Sequence, residues 1–237
     1  MTCRMLVCAG KLPMPQILDD FKLVALNRNE KHEINEEKPL LVHGDGWGIV
    51  VGRFGKLEPY KRAVPCWEDP KYKKYYHVNA DFLILHARNA TLNTPISYGF
   101  THPFEKGGWF FCHNGTIHDL AEPRDRSDSE RFFELILDAM RDETEVVGAI
   151  KSALSKIKSF SAINFILANK GKAYVLNKFQ KMYPQYYTMK YLATENLVIV
   201  SSECLQNFDD AWKELGNDQL AVLDVARRRF ECFSLDS

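Results

Sequence analysis

Apolar positions in this chain come in short, evenly interrupted runs. CRMLVCA, GWGIVVG, DFLILHA, WFFCH, INFILAN, KAYVLN, NLVIVSS, QLAVLDV and RRFECFS carry β-branched, aromatic or thiol side chains, and most are bounded by Gly, Asn, Asp or Lys. These runs predict at least one large, mostly antiparallel sheet. The spacing changes at SDSERFFELILDAM, where Ser127 and Glu130 have the Ser-x-x-Glu spacing of a capping box. Phe132, Phe133, Ile136 and Met140 then share one helical face. A second helix is expected over Glu143 to Lys158, and weaker ones near Pro15 to Leu26 and Phe208 to Leu215. Strands in blocks, two helices, then strands again argue for an α+β layered fold and against a repeating βαβ unit. Neither an internal repeat nor a low-complexity linker divides the chain, so residues 1–237 are expected to form one domain.

Composition narrows the picture. With 46% hydrophobic and 26% charged residues the chain can build a sizeable core. The 31 basic and 31 acidic side chains cancel, which removes the broad positive field that phosphate binding needs. KYKKYYHV and ARRRF therefore read as solvated or amphipathic surface, and no nucleic-acid partner is expected. Six cysteines without a CxxC pair suggest reduced thiols and a cytoplasmic setting. Apolar stretches such as FLIL are far too short to cross a membrane, and MLVCAG, followed by Lys11, is too short for a secretory core. The scattered histidines do not make a zinc site, and neither a metal nor a cofactor is expected.

Four stretches bring to strand ends polar groups that a packed core does not need. In CHNG the apolar run WFFC delivers His113, Asn114 and Gly115; a side-chain amide beside an open glycine N–H can hold a developing oxyanion. Asn-Gly is equally the strongest hairpin signal, so a β-turn competes. In HARNAT, Arg88 and Thr91 could grip a carboxylate, or Arg88 could simply be exposed. In SDSE, Asp128 could receive a substrate ammonium or merely complement the helix dipole. HGDGWG fits neither the dinucleotide nor the phosphate loop; it reads as a tight turn in which His43 and Asp45 are structural.

In their order along the chain, CRMLVCAG, HGDGWG, HARNAT, THPF, WFFCHNG, SDSE and VSSE resemble the class II glutamine amidotransferases, in particular their small stand-alone members. The resemblance spans nearly the whole chain. It implies the fold of the N-terminal-nucleophile hydrolases, a four-layer α/β/β/α sandwich with mostly antiparallel sheets. It also implies Cys3 as nucleophile, Asn114 and the Gly115 N–H as oxyanion hole, Arg88 with Thr91 for the substrate carboxylate, Asp128 for its α-amino group, and His113 within the substrate-binding set. The activity implied is hydrolysis of the L-glutamine side-chain amide through a cysteine thioester, the ammonia being freed or passed to a separate synthetase subunit. Another γ-glutamyl amide could replace glutamine, and a blocked amino terminus would leave a non-catalytic glutamine-binding module.

The amino terminus departs from the family pattern, because Thr2 stands between the initiator methionine and Cys3. Activity by the family route requires loss of both Met1 and Thr2, since a peptide nitrogen has no basic lone pair with which to accept the thiol proton. Thr2 as the nucleophile is disfavoured: side chains alternate along a strand, so Thr2 faces away from the side that Cys3 faces.

Overall fold

Two antiparallel sheets lie face to face, each covered on its outer side by helices. A computed structural model of the chain describes residues 3–91, 94–122, 125–208, 211–225 and 229–235. In chain order the strands are β1 (Arg4–Gly10), β2 (Trp47–Arg53), β3 (Lys56–Arg62), β4 (Phe82–Ala87), β5 (Phe104–Lys106), β6 (Trp109–Ile117), β7 (Phe160–Ala168), β8 (Lys172–Asn177), β9 (Lys190–Ala193), β10 (Leu197–Ser201), β11 (Lys213–Glu214), β12 (Gln219–Asp224) and β13 (Arg229–Ser234). One sheet runs β11-β9-β10-β1-β4-β2-β3 and the other β13-β12-β8-β7-β6-β5. The helices are α1 (Met14–Ala25), α2 (Glu33–Glu37), α3 (Pro70–Lys74), α4 (Asp128–Ala139), α5 (Val146–Ser155) and α6 (Pro184–Tyr187).

Strand alternation explains the layering. On β1, Leu6 and Cys8 pack against α1, whose Ile17, Leu18, Phe21 and Val24 are buried on that face. Met5, Val7 and Ala9 point the other way and meet Cys112, Ile166 and Val175 of the second sheet. Cys3 has the parity of Met5, so it faces the space between the sheets. The outer face of the second sheet receives Phe132, Phe133 and Ile136 of α4 and Ile150 and Ala153 of α5. Burying those three α4 side chains contributes at most about 5 to 9 kcal/mol, enough to fix the helix that begins at Asp128. The expected α/β/β/α order is what forms.

All nine expected strands appear, and Ser127 caps α4 by accepting from the Glu130 N–H at 3.0 Å. The helix expected over Glu143 to Lys158 is shorter, Val146–Ser155, and that near Pro15 is α1. The helix expected at Phe208 to Leu215 does not form: Lys213 and Glu214 pair with Tyr191 and Lys190 as an edge strand, while Asp209 and Asp210 lie outside the described residues. The β-turn reading of Asn114-Gly115 is also overturned, because β6 runs through both residues to Ile117. In KYKKYYHV the lysines face outward while Tyr72 is buried and its hydroxyl donates to the Leu18 carbonyl at 2.7 Å, so the aromatics belong to the core. Ala226, Arg227 and Arg228 of ARRRF lie outside the described residues. No helix among the described residues is long and apolar enough to cross a membrane.

Candidate active site

Cys3 sits at the head of the central strand β1, fully buried. Its backbone N–H donates to Asn114 Oδ1 at 2.8 Å, and its thiol lies 3.9 Å from the Asn89 carbonyl. Because the Cys3 nitrogen is the donor, the amide oxygen of Asn114 faces it and the amide NH₂ turns away. Burial pushes the thiol up to about 11, against the pull of Asn89 and of the Arg88 charge, with Asp128 adding to the rise. Arg88 is the residue before Asn89, whose carbonyl the thiol meets, and the charges of Arg88 and Asp128 are both felt at the sulfur. Met1 and Thr2 lie outside the described residues.

Gly115 follows Asn114 with φ of 141°, a region that disfavours any side chain. A Cβ here would stand 1.9 Å from the Ala162 carbonyl oxygen, and the β6–β7 register slips between Gly115 and Ile117. This bulge keeps the strand going while turning the peptide at Gly115 out of the regular ladder.

Arg88 leaves β4 fully buried, and none of its three guanidinium nitrogens has a hydrogen-bond partner among the described residues. Burial lowers its pKa from the usual arginine value, while Cys3 and Asp45 oppose the fall. A buried cation without partners is costly unless a ligand supplies them. HGDGWG holds the backbone around it: Arg88 N–H donates to the Gly46 carbonyl at 2.8 Å, Asp45 N–H to the Arg88 carbonyl at 2.9 Å, and Ala90 N–H to Asp45 Oδ2 at 2.7 Å. Asp45 is thus structural, and what it structures is the Arg88 segment.

Asp128 opens α4, and its Oδ2 accepts from the Ile117 N–H at 2.8 Å, tying the helix to the bulged strand. His113 points to the helix side of β6, where Nδ1 meets Ser129 Oγ at 2.8 Å; its ring braces α4 from the face opposite Asn114. Thr91 is exposed, its carbonyl accepts from the Thr94 N–H at 2.9 Å, and no hydrogen bond among the described residues joins it to Cys3. His86 and His102 pack with their rings tilted by 32° and 4.2 Å between centroids; burial holds His86 down at about 3 and His102 well below the ordinary range, so both are neutral at pH 7.

The reading of motifs gave no role to a network beneath Cys3. Arg4 is fully buried beside Glu203 of VSSE, Nε to Oε1 at 3.0 Å though bent off the N–H axis; its Nη1 donates to the Tyr186 carbonyl at 2.8 Å and its Nη2 to His32 Nε2 at 2.7 Å. Burial alone would raise the Glu203 carboxyl, but Arg4 and a donor from Asn29 hold it at about 2. Tyr186 lies under the Arg4 guanidinium, 3.6 Å from ring centre to Cζ, and its hydroxyl donates to the Cys3 carbonyl at 3.3 Å. A guanidinium inside an apolar strand needs a buried acid somewhere; that demand was the available signal.

The assembled groups can do acyl chemistry: a thiol, an amide beside an open glycine peptide, a guanidinium without partners among the described residues, and a carboxylate whose charge is felt at the thiol. Residues 36–183 match the sequence pattern of the glutamine amidotransferases of class II. A gamma-glutamyl-hercynylcysteine sulfoxide hydrolase of Mycobacterium tuberculosis (strain CDC 1551 / Oshkosh) is 33% identical over 99 residues, 40% of this chain. The match spans only 42% of that curated relative's length. Among solved structures, the glutamine phosphoribosylpyrophosphate amidotransferase of B. subtilis aligns over 98% of this chain and 49% of its own, with TM-score 0.68 and 17% identity. A glutamine aminotransferase class-II domain protein from Silicibacter pomeroyi aligns over 98% and 100%, with TM-score 0.62 and 15% identity. At such identities these two structures speak for the fold alone.

Proposed function

Because the chain belongs to the class II glutamine amidotransferases, we propose that it hydrolyses the side-chain amide of L-glutamine or of another γ-glutamyl compound, with Cys3 as nucleophile. The observation that carries this reading is Arg88: a buried guanidinium without hydrogen-bond partners among the described residues, whose charge is felt at the Cys3 sulfur, fits the α-carboxylate of a glutamyl group. Asp128 would take the α-ammonium, and the side-chain amide carbon would then lie toward Cys3. The thiol adds to that carbon, and the oxyanion receives donors from the Asn114 amide and the Gly115 N–H. The C–N bond breaks, the departing nitrogen takes the proton the thiol lost, and water hydrolyses the thioester to glutamate.

A thiol at about 11 is almost wholly protonated at pH 7, thiolate being roughly one part in 10⁴. The Cys3 nitrogen, while it remains a peptide nitrogen, cannot accept its proton. Release of Met1 and Thr2 would convert that nitrogen into an amine titrating near about 8, held by Asn114 beside the sulfur. General-base help of this kind contributes about 10² to 10⁴ in rate. The six cysteines, unpaired in the fold, fit a reducing cytoplasmic setting.

The name of the mycobacterial relative supports the wider substrate reading, in which the glutamyl head is recognised and the leaving amine is larger than ammonia. The test is glutamate release from glutamine and a panel of γ-glutamyl amides by a chain whose first residue is Cys3. We expect turnover there, and glutamate binding without turnover in Cys3→Ala. Equal activity of the two would refute the mechanism, and a lack of preference for glutamine would favour the larger amides.

A further inference from the structure

Tyr186 belongs to no motif, yet it is the point where three of them meet. It is fully buried in α6, and α2 anchors its backbone: Glu33 accepts from the Gln185 N–H at 3.0 Å and the Tyr186 N–H at 3.1 Å. Its ring supports Arg4, which pairs with Glu203 of VSSE. Its hydroxyl lies 3.3 Å from the Cys3 carbonyl and 3.1 Å from Nε2 of His43, the first residue of HGDGWG.

The phenol has one proton. Donating it to the Cys3 carbonyl requires His43 to present Nε2–H to the phenol oxygen, and burial keeps that imidazole neutral at pH 7, with a pKa of about 3. Nδ1 lies 3.2 Å from the Ala25 carbonyl, whose other lone pair takes the His43 backbone N–H at 2.8 Å; a proton on Nδ1 would turn the phenol proton to Nε2 and away from the Cys3 carbonyl. With the proton on Nε2, the chain of donors runs from His43 to Tyr186 to the carbonyl of Cys3.

We propose that Tyr186, set by His43, is a positioning residue for the nucleophile. Cys3 has two backbone handles, its nitrogen on Asn114 and its carbonyl on Tyr186. Once its nitrogen is terminal, rotation about the Cα–C bond swings amine and sulfur together away from Asn114. The hydrogen bond to the carbonyl fixes the plane from which that rotation starts, so sulfur and amine stay side by side over the oxyanion donors. This inference rests on the amide-hydrolase reading, and HGDGWG then sets both Arg88 and Cys3.

The test is Tyr186→Phe in the full chain, with the mature first residue identified by intact mass. The variant keeps the ring under Arg4 and the backbone contacts. Loss of one net hydrogen bond predicts a kcat about 3- to 10-fold lower with KM for the glutamyl amide within about twofold, and a parallel fall in the iodoacetamide alkylation rate of Cys3. His43→Leu should match it, the double variant should be no worse than either, and His43→Gln, which keeps a donor near the same place, should recover most of the loss. A raised KM at unchanged kcat would make Tyr186 a substrate contact. Unchanged alkylation, or additive losses in the double variant, would also overturn the proposal. If the wild-type protein cleaves no γ-glutamyl amide, the functional reading fails, and the alkylation rates still decide the role of Tyr186. His43→Leu supplies that answer should Tyr186→Phe not fold.

Discussion

Replacing Arg88 by methionine should move stability and activity in opposite directions. The side chain is fully buried and its nitrogens have no partners among the described residues. A bidentate grip on a carboxylate is two charge-assisted hydrogen bonds, each about 1.5 to 3 kcal/mol, so Arg88→Met should lower kcat/KM by about 10² to 10⁴. Arg88→Lys keeps the charge but loses the fork, and should cost about 10- to 100-fold. In the free enzyme the same guanidinium is an unsatisfied buried group, a burden of about 1 to 3 kcal/mol that methionine removes. At roughly 2 to 4 °C per kcal/mol for a chain of this length, the methionine variant should melt about 2 to 12 °C higher than wild type. Thermal unfolding with and without millimolar glutamate, alongside glutamate-release kinetics, reads both effects. Glutamate should raise the wild-type Tm and leave that of the variant where it is. A variant that melts lower than wild type, or that keeps kcat/KM within threefold, would mean that Arg88 is a structural contact and the reasoning fails.

Gly115→Ala should destabilise the fold by about 1 to 3 kcal/mol and abolish turnover, since the new methyl meets the Ala162 carbonyl at 1.9 Å in a backbone region closed to L side chains. Denaturant midpoints and kcat check it, and a stable, active variant would remove Gly115 from the site. Acid should unfold the protein early: His43 and His86 are held at about 3 against an ordinary value near 6.5, so the unfolded chain binds more protons as pH falls between those limits. The pair costs about 2.7 kcal/mol per pH unit in that window, and Glu203, held at about 2, adds its loss below about pH 4.5. Guanidinium midpoints at pH 7, 6 and 5 should fall steadily, and a flat series would contradict the burial of the two imidazoles.

What could be read from the chain was whatever its residues declare locally. Eight of the nine strands read from apolar runs have a strand on each side, and the ninth, β13, is an edge; the strands not read are the other three edges, β3, β5 and β11, and β9, covered on one side only by the two-residue β11. β3, with Lys56, Glu58, Pro59, Lys61 and Arg62, has the charges and proline that blunt an edge, and so carries no strand-like pattern. Asn114-Gly115 misled for a different reason: the dipeptide permits a hairpin turn, but the long-range pairing of Asn114 with Asn164 and Ile117 with Phe160 keeps it extended. Around the candidate site, Cys3, Arg88, Asn114, Gly115 and Asp128 stand in recognisable motifs. Thr91 shares one of them yet is exposed, its carbonyl accepting from the Thr94 N–H. Tyr186 was invisible because its partners, Cys3, Arg4 and His43, are far away in the chain and meet only in the fold.

The place of β1 in its sheet has a consequence for timing. Val7 pairs with Val200 on one side and Ile84 on the other, so the first strand cannot be closed in until almost the whole chain has left the ribosome. At about 5 to 20 residues per second, that delay is on the order of 10 to 40 seconds. During that interval the amino end is open to whatever enzymes trim nascent chains; afterwards Cys3 itself is fully buried. If Met1 and Thr2 are released as proposed, a pulse-chase that follows the mass of the amino-terminal peptide would separate trimming during synthesis from cleavage after folding.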